Sequence, residues 1–346
     1  MSLTQTAYAS RNIIKYGGTG LIAFVLIWSI TATAITAYKT AHPVYVAPTV
    51  KYGMLPKMVF PDKTFDKKNF SFEFATDATP QFGDQSKVYI IYRPDTSILA
   101  LEDDKKTAVK YGFTGKEQEV KSGVYEFKNE TTNKTLTMNV LEGSFKMEYP
   151  YLTDQLLLDA KNVPNKSDAI TKAADFLNTG DKYSDDLVNG EKKVSFWSIS
   201  DGALKSVSSQ AEANVVRVDF YRKNLENNLQ ILSPQIGQAS ISVLVSGSDV
   251  EEKRIIDVNF KYANIDRESY STYPIKTSTE ALDELKNGNY WPASDVTNTN
   301  VIIRKMYLAY YEPVTLTNYM QPIYVFEGDN NFVAFVSAVN GKYIQP

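Results

Sequence analysis

Forty carboxylates, one histidine and no cysteine set the chemistry this chain could attempt. A Ser-His-Asp triad or a multi-histidine metal site lacks parts. Disulfides, thiolate metal sites and cysteine nucleophiles lack their only residue. The single histidine, His42, lies in a proline-bearing stretch, where a lone imidazole reads as solvated. The acids fall into small groups. Glu327 and Asp329 flank Gly328 between the apolar runs "PIYVF" and "FVAFVSAV". Two acids on a loop tip fall short of the six to eight oxygens calcium takes. The stretch instead predicts a hairpin whose turn uses Gly328, Asp329 and Asn330 for their tolerance of positive φ. Its unbroken apolarity predicts strands covered on both faces, one by a helix and the other by a neighbouring unit or partner.

Glu102, Asp103 and Asp104 read as the acidic start of a helix, where the macrodipole favours them. Asp185-Asp186 and Asp249, Glu251, Glu252 read as solvated loop charge, without the spacing of an EF-hand. No pattern selects a glycosidase-type carboxylate pair. The chain contains no G-x-S-x-G, S-x-x-K, Walker or G-x-G-x-x-G motif. The expectation is a protein that is not an enzyme, with no cofactor and no metal. Its 23 tyrosines cluster in "YLAYYEP" and "SYSTYP". Tyrosine offers large amphipathic area, so Tyr307, Tyr310 and Tyr311 form a candidate partner surface. The same residues also suit strands in general.

The elements that would position these residues begin with a membrane segment. Between Lys15 and Lys39 lie 23 residues without a charge. That is long enough to span a bilayer as helix. A cleaved signal peptide is the rival reading, with Arg11 and Lys15 ahead and Ala32-Thr33-Ala34 as the cleavage site. The apolar run continues to Tyr38, which favours a retained anchor. Ser29, Thr33 and Ala37 recur every four residues, a spacing at which small residues let two helices approach. They are the candidate helix–helix contact of a homo-oligomer, against the plainer reading of ordinary tolerance in a membrane helix. The short basic head and large following domain predict a single-pass cell-membrane protein, N-terminus cytoplasmic and main domain extracytoplasmic. Net charge of −3 with interspersed signs offers no field for nucleic acid.

The expected organisation is a cytoplasmic head (1–16), a transmembrane helix (17–38), a proline-rich linker (39–63) and three α+β modules (64–155, 156–265 and 266–346). Pro43, Pro48, Pro56 and Pro61 forbid helix in the linker and make an extended stalk its default; a strand laid along the domain stays open. Each module is expected to pack a short helix on an antiparallel sheet. The helices are expected at 101–113, at 167–180 with Ser167 as cap, and at 277–288, where Thr277 and Glu280 have capping-box spacing. A hairpin is expected about Glu142-Gly143. "VVRVDFY" and "IIRKMYL" can be laid over each other, as a degenerate repeat would allow.

The segments "YPIKTSTEALDELKNG", "IIRKMYLAYYEP" and "YMQPIYVFEGDNNFVAFVSAV" carry a resemblance. Residues 273–339 resemble the C-terminal repeat of tandem PepSY-like extracytoplasmic proteins, in the style of the YycH/YycI regulators of a membrane sensor kinase; residues 167–262 resemble it more loosely. The resemblance implies a non-enzymatic, membrane-anchored module that binds or regulates an envelope or membrane protein. It defines no catalytic residue. The proline-rich linker and the extra first unit depart from the YycI pattern. A structural subunit of a cell-surface or secretion assembly, and a carboxylate-type surface hydrolase, are the alternatives.

Overall fold

The structure is a computed structural model. It describes residues 3–41, 45–62, 70–76, 79–92, 98–234, 237–295, 299–315 and 317–346. His42 and Pro43 lie outside the described residues. Two units follow one another, Met1–Ala47 and Pro48–Pro346. The first is a helix, α1 (Leu3–Ala41), whose Tyr16–Tyr38 stretch of 23 residues is apolar and wholly unburied. At 1.5 Å per residue it is about 35 Å long, enough for a hydrocarbon core of about 30 Å.

The second unit is α+β. In chain order it begins with β1 (Ser71–Phe74), β2 (Gln85–Ile91), α2 (Ile98–Lys110), β3 (Gln118–Lys121), β4 (Val124–Asn129), β5 (Lys134–Asn139) and β6 (Ser144–Glu148). Then come α3 (Gln155–Asp159), α4 (Lys166–Thr179), α5 (Asp185–Val188), β7 (Lys192–Ser200), β8 (Ala203–Val207), β9 (Val215–Phe220), β10 (Ile231–Leu232), β11 (Ile241–Ser246) and β12 (Ile255–Phe260). It closes with β13 (Ile265–Pro274), α6 (Ser278–Lys286), β14 (Trp291–Pro292), β15 (Asn300–Tyr311), β16 (Tyr319–Met320), β17 (Pro322–Gly328) and β18 (Val333–Ser337).

The expected first and second modules share one sheet rather than forming two. Its order is β3-β4-β5-β6-β12-β11-β9-β7-β8, antiparallel throughout. The last strands of the two halves, β6 and β12, meet at a seam, with Phe145 opposite Phe260 and Glu148 opposite Asp257. Helices α2 and α4 cover one face, burying Ala108, Ala169, Ala173 and Leu177 against Phe127, Met138, Val218 and Val243. The chain just past α2 meets α4 through Tyr111, stacked on Phe176 at 4.3 Å. Gly180 ends α4 at φ −91°, so close approach, not a left-handed turn, demands glycine there: a Cβ would run into the Tyr111 hydroxyl. The N-cap of α4 is Asn165, two residues ahead of the expected Ser167, because its side chain accepts from Asp168 N.

The expected third module borrows strands from elsewhere. Its sheet runs β1-β15-β17-β18-β14, with β1 parallel to the start of β15 and β10 parallel to its end. A lone edge on β15 would offer unpaired backbone to other chains; these two short strands cover its two ends, at 300–303 and 310–311. Strand β2 pairs with β13 and β16 in a third, small sheet. Helix α6 starts on the expected Thr277–Glu280 capping box and buries Ala281 and Leu285. The hairpin 322–337 forms as expected and is buried on both faces. Tyr324, Phe326, Ala334 and Val336 pack toward α6, while Ile323, Val325, Val333 and Phe335 pack toward Trp291, Met58 and Phe60.

Two details of that hairpin differ from expectation. Positive φ falls on Asn330 (57°) and Asn331 (59°), not on Gly328 or Asp329. Gly328 is glycine because a Cβ would sit 2.7 Å from Val301 Cγ1 and 2.9 Å from the Ile302 carbonyl. The stalk is also corrected over its described residues 48–62. They are packed on the body, with Leu55 fully buried and bridged to Ile344.

Candidate functional site

On α1, Ser29 and Thr33 turn their hydroxyls back into their own helix. Ser29 Oγ donates to the Leu26 carbonyl (2.8 Å) and Thr33 Oγ1 to the Ser29 carbonyl (2.7 Å). With Ala37 they leave a small, exposed stripe. The tyrosine surface, in contrast, is corrected. Tyr310 and Tyr311 are 0% and 2% exposed, because β15 is an interior strand flanked by β17 on one side and by β1 and β10 on the other. The Tyr310 hydroxyl donates to Glu226 Oε1 at 2.8 Å. Burial and the Glu226 charge hold its proton well above the usual range. Tyr307 is half-buried and donates to Glu327 Oε1 at 2.6 Å.

The acids of the opening hairpin are likewise accounted for. Arg304 grips Asp329 with two parallel bonds, Nε to Oδ1 at 2.7 Å and Nη2 to Oδ2 at 2.9 Å. Its hydrogen bond keeps the Asp329 carboxyl below the ordinary value. Glu102, Asp103 and Asp104 fall in the second turn of α2, not at its start. Asp249, Glu251 and Glu252 are exposed, as expected. Among the described residues no group of three or more His, Cys, Asp or Glu is placed to hold a metal ion.

Asp186 breaks the expectation of solvated charge, and it leads to the most concentrated chemistry in the body. Its neighbour Asp185 is exposed, but the Asp186 side chain is largely buried and faces Arg222, which is only 3% exposed. Arg222 Nε donates to Asp186 Oδ2 (2.7 Å), and Nη1 donates to the Ala263 carbonyl (2.6 Å) and to Glu312 Oε1 (3.2 Å). Tyr262 lies under the guanidinium, 4.3 Å from its ring centre, and its hydroxyl donates to Asp186 Oδ1 at 2.7 Å. Ser184 Oγ donates to the same oxygen at 2.7 Å. Burial alone would raise the Asp186 carboxyl. The Arg222 charge, with bonds from Ser184, Tyr262 and Arg222, holds it below its usual value instead. Burial alone would weaken the Arg222 proton, yet Glu312 and Asp186 keep it above the ordinary value. The cluster ties α5, the ends of β9 and β12, and the end of β15 into one ionic knot. Sequence carried no local signal for it, because its members lie up to 90 residues apart in single pairs.

Ser184 and Tyr262 also line a cleft of about 660 Å³. Its walls come from α2, the β5–β6 turn, the segment before α5, the end of β12, the end of β2 and residues 313–315 and 317. Ile91, Val140, Phe260 and Val314 give it apolar surface, with Tyr92, Thr315 and Asn264 among them. Asp104 lines it too. Burial raises the Asp104 carboxyl, Lys182 pulls it down and Asp103 pushes it up. Asp103, Glu142, Asp181, Lys182 and Lys261 add charge to the same walls, so the cleft has the volume of a ligand site with a mixed apolar and charged lining. Ser184 donates into a carboxylate already held by Arg222, so this hydroxyl is anchored rather than activated as a nucleophile.

No protein-family model matches the chain, and no curated protein matches it. Solved structures do match. The Bacillus megaterium YpeB C-terminal domain is 15% identical, with a TM-score of 0.28, over 72% of this chain and 96% of that one. An uncharacterized protein from Eubacterium rectale is 11% identical, with a TM-score of 0.38, over 75% of this chain and 85% of that one. At those TM-scores neither likeness adds to what the chain's own residues establish.

Proposed function

We propose that the chain is a single-pass, non-catalytic envelope module. Its N-terminus is cytoplasmic, and its body outside the membrane binds or regulates an envelope or membrane protein. The observation that carries this reading is the pairing of one exposed, apolar, 23-residue helix with an α+β body bearing a 660 Å³ cleft. The ionic knot behind the cleft supports it, because a rigid wall lowers the ordering cost of binding. The resemblance of residues 273–339 to tandem PepSY-like regulators points the same way.

The test is in-cell cross-linking, membrane purification and mass spectrometry of the full-length protein. Two controls accompany it: a chain lacking residues 1–40, and Val314→Arg, which places a long charged side chain in the wall of the cleft. A discrete heterologous partner lost in both controls is the expected result. Recovery of the protein alone would overturn the reading and favour a homo-oligomeric assembly through Ser29, Thr33 and Ala37. Orientation is read separately: protease added outside intact cells should cut the body.

A further inference from the structure

Four acids line the cleft, and three of them are engaged. Asp103 pairs with Lys106 at 2.7 Å, Asp181 pairs with Lys110, and Glu142 Oε2 accepts from Ser144 Oγ at 3.2 Å. The fourth, Asp104, is half-buried on α2 and has neither a hydrogen bond nor an ion pair among the described residues. Burial raises its carboxyl, and the pull of Lys182 does not cancel that. A buried charge without a partner is costly, and an aspartate has a single methylene with which to reach water. Lys182 and Lys261 also line the cleft, but their four-carbon stems let each ammonium turn toward solvent. Lys261 is exposed. Asp104 is therefore the charge in these walls that gains most from a ligand.

The rest of the lining sets the shape of that ligand. Ile91, Val140, Phe260 and Val314 give hydrocarbon, and Tyr92 and Tyr262 add aromatic rings. A lysine or arginine side chain matches this. It has an apolar stem that packs on hydrocarbon and a cationic head that a carboxylate holds by a charge-assisted hydrogen bond. Aromatic rings attract the same head. A metal ion fits poorly, because among the described residues no group of three or more His, Cys, Asp or Glu is placed to hold one. At about 660 Å³ the cleft has room for the residues that flank such a side chain.

We propose that the cleft takes a segment of the partner protein in which a lysine or arginine sits between apolar residues, its cationic head on Asp104 and its stem on the apolar walls. This rests on the reading of the cleft as a partner site and adds the chemistry of what enters it. Leu141, next to Val140 in the β5–β6 turn, is exposed and extends the apolar surface beyond the cleft, which favours a segment of a protein over a free amine.

The probes are acetylated, amidated peptides Ala-Val-X-Val-Ala, with lysine, norleucine or glutamate as X, titrated calorimetrically against the full-length chain in nanodiscs. The lysine peptide should bind about tenfold tighter than the norleucine peptide, and the glutamate peptide weakest. Asp104→Asn should abolish the lysine preference, whereas Asp175→Asn, at an exposed acid of α4 outside the cleft, should keep it. Asp104→Asn removes a charge that burial disfavours, so its thermal unfolding should match or exceed wild type, which separates lost binding from lost folding. A less stable Asp104→Asn would show that the carboxylate has a partner inside the protein and would overturn the proposal. So would equal binding of the lysine and norleucine peptides, a lysine preference that survives Asp104→Asn, or tightest binding of the glutamate peptide. In cells, Asp104→Asn should lower the cross-linked partner about tenfold, the same factor as for the peptides. If Val314→Arg loses the partner and Asp104→Asn keeps it, the partner-site reading stands and this inference falls. If the wild type captures no partner, the reading itself falls and this inference with it.

Discussion

Asp257 should make the protein less stable as pH rises through the mildly acidic range, and removing its charge should abolish that loss. It sits on β12 directly opposite Glu148 of β6, so two carboxylates face each other across the seam. Like charges in register destabilise a sheet. The nearby cations are engaged elsewhere: Lys146 with Glu148 at 2.5 Å, and Arg217 with Asp219 at 2.9 Å. Burial, with the Glu148 charge adding to it and Lys146 and Arg217 opposing, pushes the Asp257 carboxyl up to about 6. An unfolded aspartate titrates near 3.9. The folded state therefore holds the proton more tightly. The stability this contributes is fully present below about pH 4 and is lost as pH climbs through 6. Two pKa units correspond to about 3 kcal/mol at neutral pH. Asp257→Asn should therefore be up to about 3 kcal/mol more stable than wild type at pH 7.5 and nearly equal to it at pH 4. Urea unfolding of both chains in detergent, followed by tryptophan fluorescence at several pH values, measures the difference. A stability gap of the same size at pH 4 and pH 7.5 would refute the reasoning, whatever the absolute values.

Other perturbations have equally definite outcomes. Arg222→Ala leaves Glu312 without its buried cation and leaves Asp186 only Arg267 at 3.6 Å and the hydroxyls of Ser184 and Tyr262, and should cost about 3 kcal/mol in denaturant unfolding. Gly190→Ala drives a Cβ into the Tyr221 carbonyl and should cost about 2 kcal/mol or more, whereas Gly341→Ala meets nothing within 4 Å and should be neutral or stabilising by about 0.5 kcal/mol. Thr277→Ala removes one half of the α6 capping box and should lower stability by about 1 kcal/mol.

What could be read from sequence was what is encoded locally. The α6 cap needs only Thr277 and Glu280, and the final hairpin needs only two apolar runs about a turn. The apolar helix over Tyr16–Tyr38 needs only length and absence of charge. Misreadings arose where distance in sequence is large. Nothing in β6 or β12 announces that they will pair, so two modules were expected where one sheet forms. Pro56, Met58 and Phe60 alternate inward only because Trp291, Tyr311 and Gln321, more than 200 residues away, build their groove. Tyr310 looked like a contact surface because composition does not say which strand ends up in the middle. Asp186 looked solvated because its arginine is 36 residues on. Gly328 is legible as a turn residue, but the true constraint on it, as on Gly180, is a neighbour's approach.

The pairing of Leu55 with Ile344 has a consequence for how the chain is made. Met54 and Gln345, which bond beside it, are separated by 291 residues. A ribosome adding about 5–20 residues per second needs roughly 15–60 s to cover that span. Until the last residues of the chain arrive, the segment after α1 has only the part of its seat built from Ser271, Tyr273, Trp291, Tyr311 and Gln321. Its apolar side chains, Leu55, Met58 and Phe60, are then open to chaperones, to proteases and to other nascent chains. The body can close around it only after Tyr343–Gln345 arrive, so assembly runs backward relative to synthesis, and the earliest-made part of the body is the last to settle.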